Sequence, residues 1–260
     1  MIGLSAALIP LNLWFEFKKW TLTLTQSCVK TDKKVMLHSF FAGWITGIIT
    51  PNMLGNFIGR MYYFQKRDRW SIVLNTLISN FAQFLPSIVF GLIALLSLQQ
   101  IPGHTSINSS WYILILLLIL LLVLFYFTWH LIPFPQKIKP RFFKRLKEIL
   151  HHSLSYRLQL FYLSMLRHLV FSLQFFFMFN AFQEAMEFSI LLWIWQLYLW
   201  TTLTPSILMG KIMVRESLAV WIFVPLGFYG LPILITSLLI WLGNVLLPAL
   251  FGILILKMKR

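Results

Sequence analysis

Charge is what this sequence has least of. Of 260 residues only 11% are charged, and just seven are acidic. A soluble domain of this size carries roughly 25% charged residues. A soluble enzyme, an extracellular domain and a disordered tail are therefore excluded. Cysteine is nearly absent: Cys28 stands alone, so no internal disulfide and no cysteine-based zinc site is available. Gly-x-Ser-x-Gly and P-loop patterns are missing, which leaves serine-hydrolase and nucleotide-driven readings without support. The seven acids, Glu16, Asp32, Asp68, Glu148, Glu184, Glu187 and Glu216, form no spaced carboxylate cluster of the kind a metal-dependent lipid transferase needs. An integral-membrane transferase is thus a weak third reading, and no cofactor or metal is expected. The apolar start lacks a basic leader and a small-x-small site, so no cleavable signal peptide is predicted.

What is present is apolar. Hydrophobic residues make up 59% of the chain, and the mean hydropathy is +0.79. At ~20 residues per crossing, that stock would fill seven or eight membrane helices. The sequence predicts an all-α, polytopic transmembrane bundle, a single domain over 1–260. The 25 Phe and 11 Trp read as lipid-facing packing and interface belts.

Lys and Arg number 22, for a net charge of +15, and they cluster between the hydrophobic runs. Residues 60–69 carry four cations and 133–157 carry seven, whereas 99–110 and 183–188 carry none. The positive-inside rule then puts 60–69, 133–157 and the C-terminus on the cytoplasmic face of a bacterial-type inner membrane. Anionic lipid headgroups, not nucleic acid, are the natural counter-charge. Glu148-x-x-His151-His152 mimics a metal spacing, but it lies in a basic amphipathic stretch and reads as a solvated interfacial helix.

Apolar runs occur at 2–15, 35–49, 71–98, 111–132, 158–182, 188–203, 217–228 and 231–256. The first is short for a crossing, and Trp14, Lys18, Lys19 and Trp20 read as its interfacial anchor. The segment 35–59 lies between two basic regions, so both ends belong on one side. It contains Pro51, and a re-entrant helical hairpin follows. Such backbone is tolerated at membrane depth only under cover of protein or beside a water-filled cavity.

Two stretches resemble one another. Thr50-Pro51-Asn52 leads to Gly55, Asn56, Gly59 and Arg60; Thr204-Pro205-Ser206 leads to Gly210, Arg215 and Glu216. Proline removes a backbone donor and breaks the helix. A helix restarting after Asn52 or Ser206 has free N–H groups, a capping side chain and affinity for an anion. Arg60 and Arg215 would add charge-assisted contacts. Paired interrupted segments in the two halves point to a transporter-like site. Each break also reads as a simple structural kink, and Arg60 as a snorkelling anchor. Arg215-Glu216, adjacent charges between apolar runs, are costly unless they reach water or partners. Glycines at 43, 47, 55 and 59 allow close helix approach.

These residues carry a resemblance. The stretch from Thr50 to Arg60 is similar to the first signature, roughly Pro-Gly-x-Leu-Gly-Glu-x-x-Arg, of the lysylphosphatidylglycerol synthase transmembrane-region family, also called the flippase-like domain family. Gly210 to Glu216 resembles the second, roughly Gly-Gly-x-Gly-x-Arg-Glu. The runs 12–23 and 235–256 resemble the family's early and last helices. Asn56 stands where the family usually has an acid, Arg60 comes one place late, and Lys211 and Met213 replace glycines. The resemblance implies translocation of a lipid or lipid-linked headgroup between leaflets by a chain like the flippase part alone, without the synthase. Its substrates would be anionic or zwitterionic lipids, and a homo-oligomer or an envelope-biogenesis partner is open. The alternative is a non-transporting scaffold or accessory subunit in envelope lipid or polymer assembly. The expected binding residues are Thr50, Pro51, Asn52, Gly55, Asn56, Arg60, Thr204, Pro205, Gly210, Arg215 and Glu216, with none catalytic.

Overall fold

A computed structural model describes residues 1–27, 29, 31–50, 54–98, 109–128, 153–183, 187–204 and 210–257. Its described elements are helical: α1 (Ile2–Gln26), α2 (Lys33–Ile48), α3 (Gly55–Tyr62), α4 (Lys66–Leu98), α5 (Ser109–Thr128), α6 (Leu154–Gln183), α7 (Ile190–Leu203), α8 (Gly210–Phe223), α9 (Gly230–Trp241) and α10 (Leu247–Lys257). A π-helical turn, Leu242–Leu246, joins α9 to α10, so that 230–257 form one continuous rod. Among the described residues three stretches are long and apolar enough to cross a membrane: Lys66–Leu98, Leu154–Gln183 and Gly230–Lys257. The protein is a multi-pass all-α membrane bundle.

Lipid explains features that water would not. On α5, Ile113, Leu114, Leu116, Leu117, Leu118, Leu120 and Leu121 all point outward. A continuous leucine surface of this kind has no place in water but matches a hydrocarbon solvent. At 1.5 Å per residue, the 33 residues of α4 extend about 50 Å, beyond the ~30 Å hydrocarbon core. Pro86 within α4 and Pro10 within α1 leave both helices continuous.

Inside, the bundle divides in two. Phe175, Phe179, Ile194, Leu197, Phe223 and Ile233 fill the space among α6, α7, α8 and α9. Trp20, Phe40, Phe41, Trp44, Phe64 and Ile72 fill that among α1, α2 and the start of α4. Helix α4 spans both halves, packing on α7 at one part and on α1, α3 and α6 at others.

The first helix corrects the expectation of a short run with an interfacial anchor. It continues to Gln26 and packs along α6. Trp14 and Lys18 do face outward, but Lys19 and Trp20 are buried. The reason is periodicity: Asn12, Glu16, Lys19, Thr23 and Trp20 fall on the inner face at three- and four-residue spacing. Helix α6 likewise runs unbroken through Arg167 and His168, and α8 through Arg215 and Glu216.

Candidate functional site

The 35–59 segment folds as two helices, α2 and α3, lying antiparallel. Glycine makes this possible. A Cβ on Gly59 would stand 2.4 Å from the Ala42 carbonyl oxygen, and one on Gly55 would stand 2.2 Å from that of Thr46. Across the turn, the Gly55 N–H donates to Thr50 Oγ1 at 2.6 Å. Thr46 Oγ1 lies 2.6 Å from the Gly55 carbonyl and 2.8 Å from that of Ala42, sharing one proton between the two helices. Thr50 thus accepts from the first N–H of α3, a contact of the kind the sequence suggests for a capping side chain there. Pro51, Asn52 and Pro205 lie outside the described residues, as do the side-chain surroundings of Gly210.

This hairpin delivers Arg60 inward. Its side chain is 1% exposed, so it is not a snorkelling anchor. A Cβ on Gly43 would meet Arg60 Cγ at 2.5 Å, so that glycine is what leaves room for it. Arg60 Nη2 donates to Glu16 Oε1 at 3.1 Å. The other carboxylate oxygen, Oε2, accepts from Arg167 Nη1 of α6 at 2.8 Å, and Lys19 Nζ stands 3.7 Å from it. Lys19 also donates to Gln83 Oε1 of α4 at 3.0 Å. Arg167 Nε donates to Asn12 Oδ1 at 2.8 Å. Asn12 Nδ2 in turn donates to Asn244 Oδ1, which the π-helical turn of the last rod points toward it.

Side chains from α1, α3, α4, α6 and the π-helical turn therefore meet in one cluster. Three cations share one carboxylate, a formal surplus of two positive charges in a place where Glu16, Lys19 and Arg60 are all buried. Aromatic faces help to carry that surplus: the Arg60 guanidinium sits 4.6 Å from the Trp20 ring centre and 5.8 Å from Phe40, and that of Arg167 lies 5.1 Å from Phe171. The Arg60 Nε and Asn56 Oδ1 are buried with no hydrogen-bond partner among the described residues.

The second broken segment has different surroundings. Arg215 Nε donates to Ser237 Oγ of α9 at 2.9 Å, and Nη2 to the Ser237 carbonyl. Glu216 Oε1 is buried and accepts no hydrogen bond among the described residues. Thr204 Oγ1 donates to the Trp200 carbonyl at 2.8 Å within its own helix. Arg60 and Arg215 have separate partners and are not brought to a common contact.

Beside the hairpin lies a cavity of about 620 Å³, lined by Thr31, Asp32, Tyr63, Phe64, Gln65 and Asp68 among others. Phe64 forms part of its wall and meets Trp20 edge-on at 6.2 Å, and Trp20 carries Arg60. Phe64, Trp20 and Arg60 thus form a chain of contacts from the cavity wall to the charged cluster. Among the described residues no group of three or more His, Cys, Asp or Glu is placed to hold a metal.

Glu16, Lys19, Arg167, Asn12, Gln83 and Asn244 do not figure among the residues expected from sequence. The available signal was the ionisable side chain inside an apolar helix, Glu16 in one and Arg167 in another, which by itself marks function in a membrane protein.

A family model described as Lysylphosphatidylglycerol synthase TM region matches residues 1–252. The chain belongs to that family. The match is to its transmembrane region rather than to a catalytic synthase domain. No curated protein and no solved structure matches the chain.

Proposed function

We propose that this chain moves phosphate-bearing lipids between the leaflets of a bacterial inner membrane, and that the Arg60–Arg167–Lys19 cluster is where the headgroup is held on the way. The observation that carries this reading is the buried surplus of positive charge. Unpaired charge at membrane depth is expensive and is retained where a pathway needs it. Guanidinium pairs are suited to phosphate because their forked N–H groups match its oxygens. The α2–α3 hairpin acts as a re-entrant element, with its basic flanks and the C-terminus cytoplasmic. Thr50, Pro51, Asn52, Gly55 and Asn56 shape its tip. The polar cavity serves as vestibule, and the Trp20–Phe64 pair as the partition to be passed. Thr204, Pro205, Gly210, Arg215 and Glu216 form a second polar station in the other half, supported by the unsatisfied carboxylate oxygen of Glu216. The two broken segments act as a pseudo-repeat within a single domain.

The test is reconstitution into liposomes carrying headgroup-labelled phosphatidylglycerol, with leaflet exchange read by quenching of the outer label. Wild-type protein is expected to accelerate exchange over empty vesicles, and folded Arg167→Gln to slow it at least about tenfold, the loss of one charge-assisted contact. Exchange no faster than in empty vesicles would overturn the reading. The second reading, a non-transporting scaffold in envelope assembly, rests on the closed packing of the cluster, in which both Glu16 oxygens are already engaged.

A further inference from the structure

Glu16 occupies an unusual position for a structural counter-ion. Its two oxygens are divided between two guanidinium groups carried by different helices, at 3.1 Å to Arg60 and 2.8 Å to Arg167, with the Lys19 ammonium at 3.7 Å. Several cations converging on the oxygens of one small anion is how proteins hold a phosphate. Each cation, moreover, has a support that does not involve Glu16. Trp20 and Phe40 carry Arg60. Asn12 and Phe171 hold Arg167. Gln83 holds Lys19. Withdrawing the carboxylate leaves a preformed cradle rather than three loose side chains, and Arg60 Nε has no acceptor among the described residues.

We propose that Glu16 is an internal stand-in for the lipid phosphate. It bridges Arg60 and Arg167 while the site is empty and gives way to the phosphate when a headgroup arrives. The proposal rests on the reading that this cluster is the headgroup site, and it adds a selectivity to it. With Glu16 displaced, the three cations face the headgroup alone, and one of net negative charge restores the resting surplus of two. A zwitterionic one leaves all three cations uncompensated, and one bearing an extra ammonium adds to them. The substrate class is therefore a phosphate-bearing headgroup of net negative charge, and an aminoacylated or choline-type headgroup is disfavoured at this point.

The experiment is calorimetric titration of the full chain in non-ionic detergent with three probes: dihexanoyl phosphatidylglycerol, dihexanoyl phosphatidylcholine and inorganic phosphate. Two variants are compared with wild type. Glu16→Gln removes the stand-in. The double variant Glu16→Gln with Lys19→Gln removes it while keeping the wild-type formal charge, and it stands in for the single variant should that fail to fold. The expected result is phosphatidylglycerol binding about tenfold tighter in folded Glu16→Gln than in wild type, the vacated guanidinium pair no longer being contested, and tighter than wild type by a smaller factor in the double variant, which also gives up the Lys19 contact. Phosphatidylcholine, whose phosphate meets the same guanidinium pair but whose ammonium cancels its charge, should bind more weakly than phosphatidylglycerol throughout. Inorganic phosphate should bind at least about tenfold more weakly than the lipid, lacking the acyl anchor. If wild type binds phosphatidylglycerol and the variants bind it equally or less tightly, the stand-in role is overturned while the headgroup site stands. If wild type binds no phosphatidylglycerol, both fall. If phosphate alone binds as tightly as the lipid, the cluster is a free-anion site and the proposal is overturned.

Discussion

Helix α2 ends at Ile48 and α7 at Leu203, each just before a Thr-Pro pair in the sequence, and the helices that follow have different surroundings. After the first, α2 and α3 lie so close that Gly55 and Gly59 have no room for a methyl group, and Arg60 is driven into contact with Glu16 and Trp20. After the second, the helices α7 and α8 surround a core of Phe175, Phe179, Phe223 and Ile194, and Arg215 binds a serine hydroxyl and a backbone carbonyl. The same local device has therefore been put to two uses. What differs is the partner surface. Small residues let backbones touch and leave space for an arginine; large aromatic ones fill that space themselves. A broken helix specifies where the chain turns, and its neighbours decide whether a charge is buried there.

The comparison breaks most readily at the acids. Glu16→Leu should cost about 3–5 kcal/mol, because it strands Arg60 and Arg167 without a counter-charge. Glu216→Leu should cost less than about 1 kcal/mol, since its buried oxygen accepts no hydrogen bond among the described residues. Thermal unfolding of both variants in a zwitterionic detergent measures the difference, and equal losses would remove the distinction between the two regions. Next in size is the glycine contrast. Gly59→Ala places its methyl 2.2 Å from Thr46 Oγ1 and 2.4 Å from the Ala42 carbonyl, and should cost about 1–3 kcal/mol by forcing the hairpin open. Gly230→Ala, at the start of α9, meets only Val224 Cγ2 at 3.7 Å and should stay within about 0.5 kcal/mol of wild type. Parallel melts check both. A tolerant Gly59 would mean that the hairpin is looser than its packing indicates.

Much of the architecture is written in one dimension. The apolar stock and the alternation of basic loops specify a membrane bundle, and the basic flanks of 35–59 together with Pro51 and four glycines specify a hairpin there. The stretches around Arg60 and Arg215 carried the resemblance to the family that the chain belongs to. The centre of the site was not legible, and the reason is geometric. A charge at the end of an apolar run and a charge inside a longer helix look alike in sequence. Glu16, Lys19 and Trp20 read as a boundary because three polar or amphipathic residues follow fourteen mostly apolar ones. Only Arg167, 151 positions away in the chain, and Arg60 from the hairpin turn that boundary into an interior. Asn244 was hidden for a similar reason. In an α-helix its register is set by its neighbours, whereas a π-helical turn rotates it toward Asn12.

The smallest effect is also the one that asks whether the two regions work together. Ser237→Ala removes one of the two hydrogen-bond acceptors that Arg215 has among the described residues and leaves the other, the Ser237 carbonyl, in place. The guanidinium is therefore not stranded, and the cost should be a single hydrogen bond, about 0.5–1.5 kcal/mol. Because Ser237 touches none of the groups around Glu16, leaflet exchange should remain at the wild-type rate while the melting temperature falls slightly. Folded Arg60→Gln, measured beside it, should lose exchange by at least about tenfold. If Ser237→Ala instead abolishes exchange as thoroughly as Arg60→Gln, passage through the second station depends on how the Ser237 hydroxyl holds Arg215. The two breaks would then be equal halves of one conduit, the arrangement that the likeness between their sequences suggests.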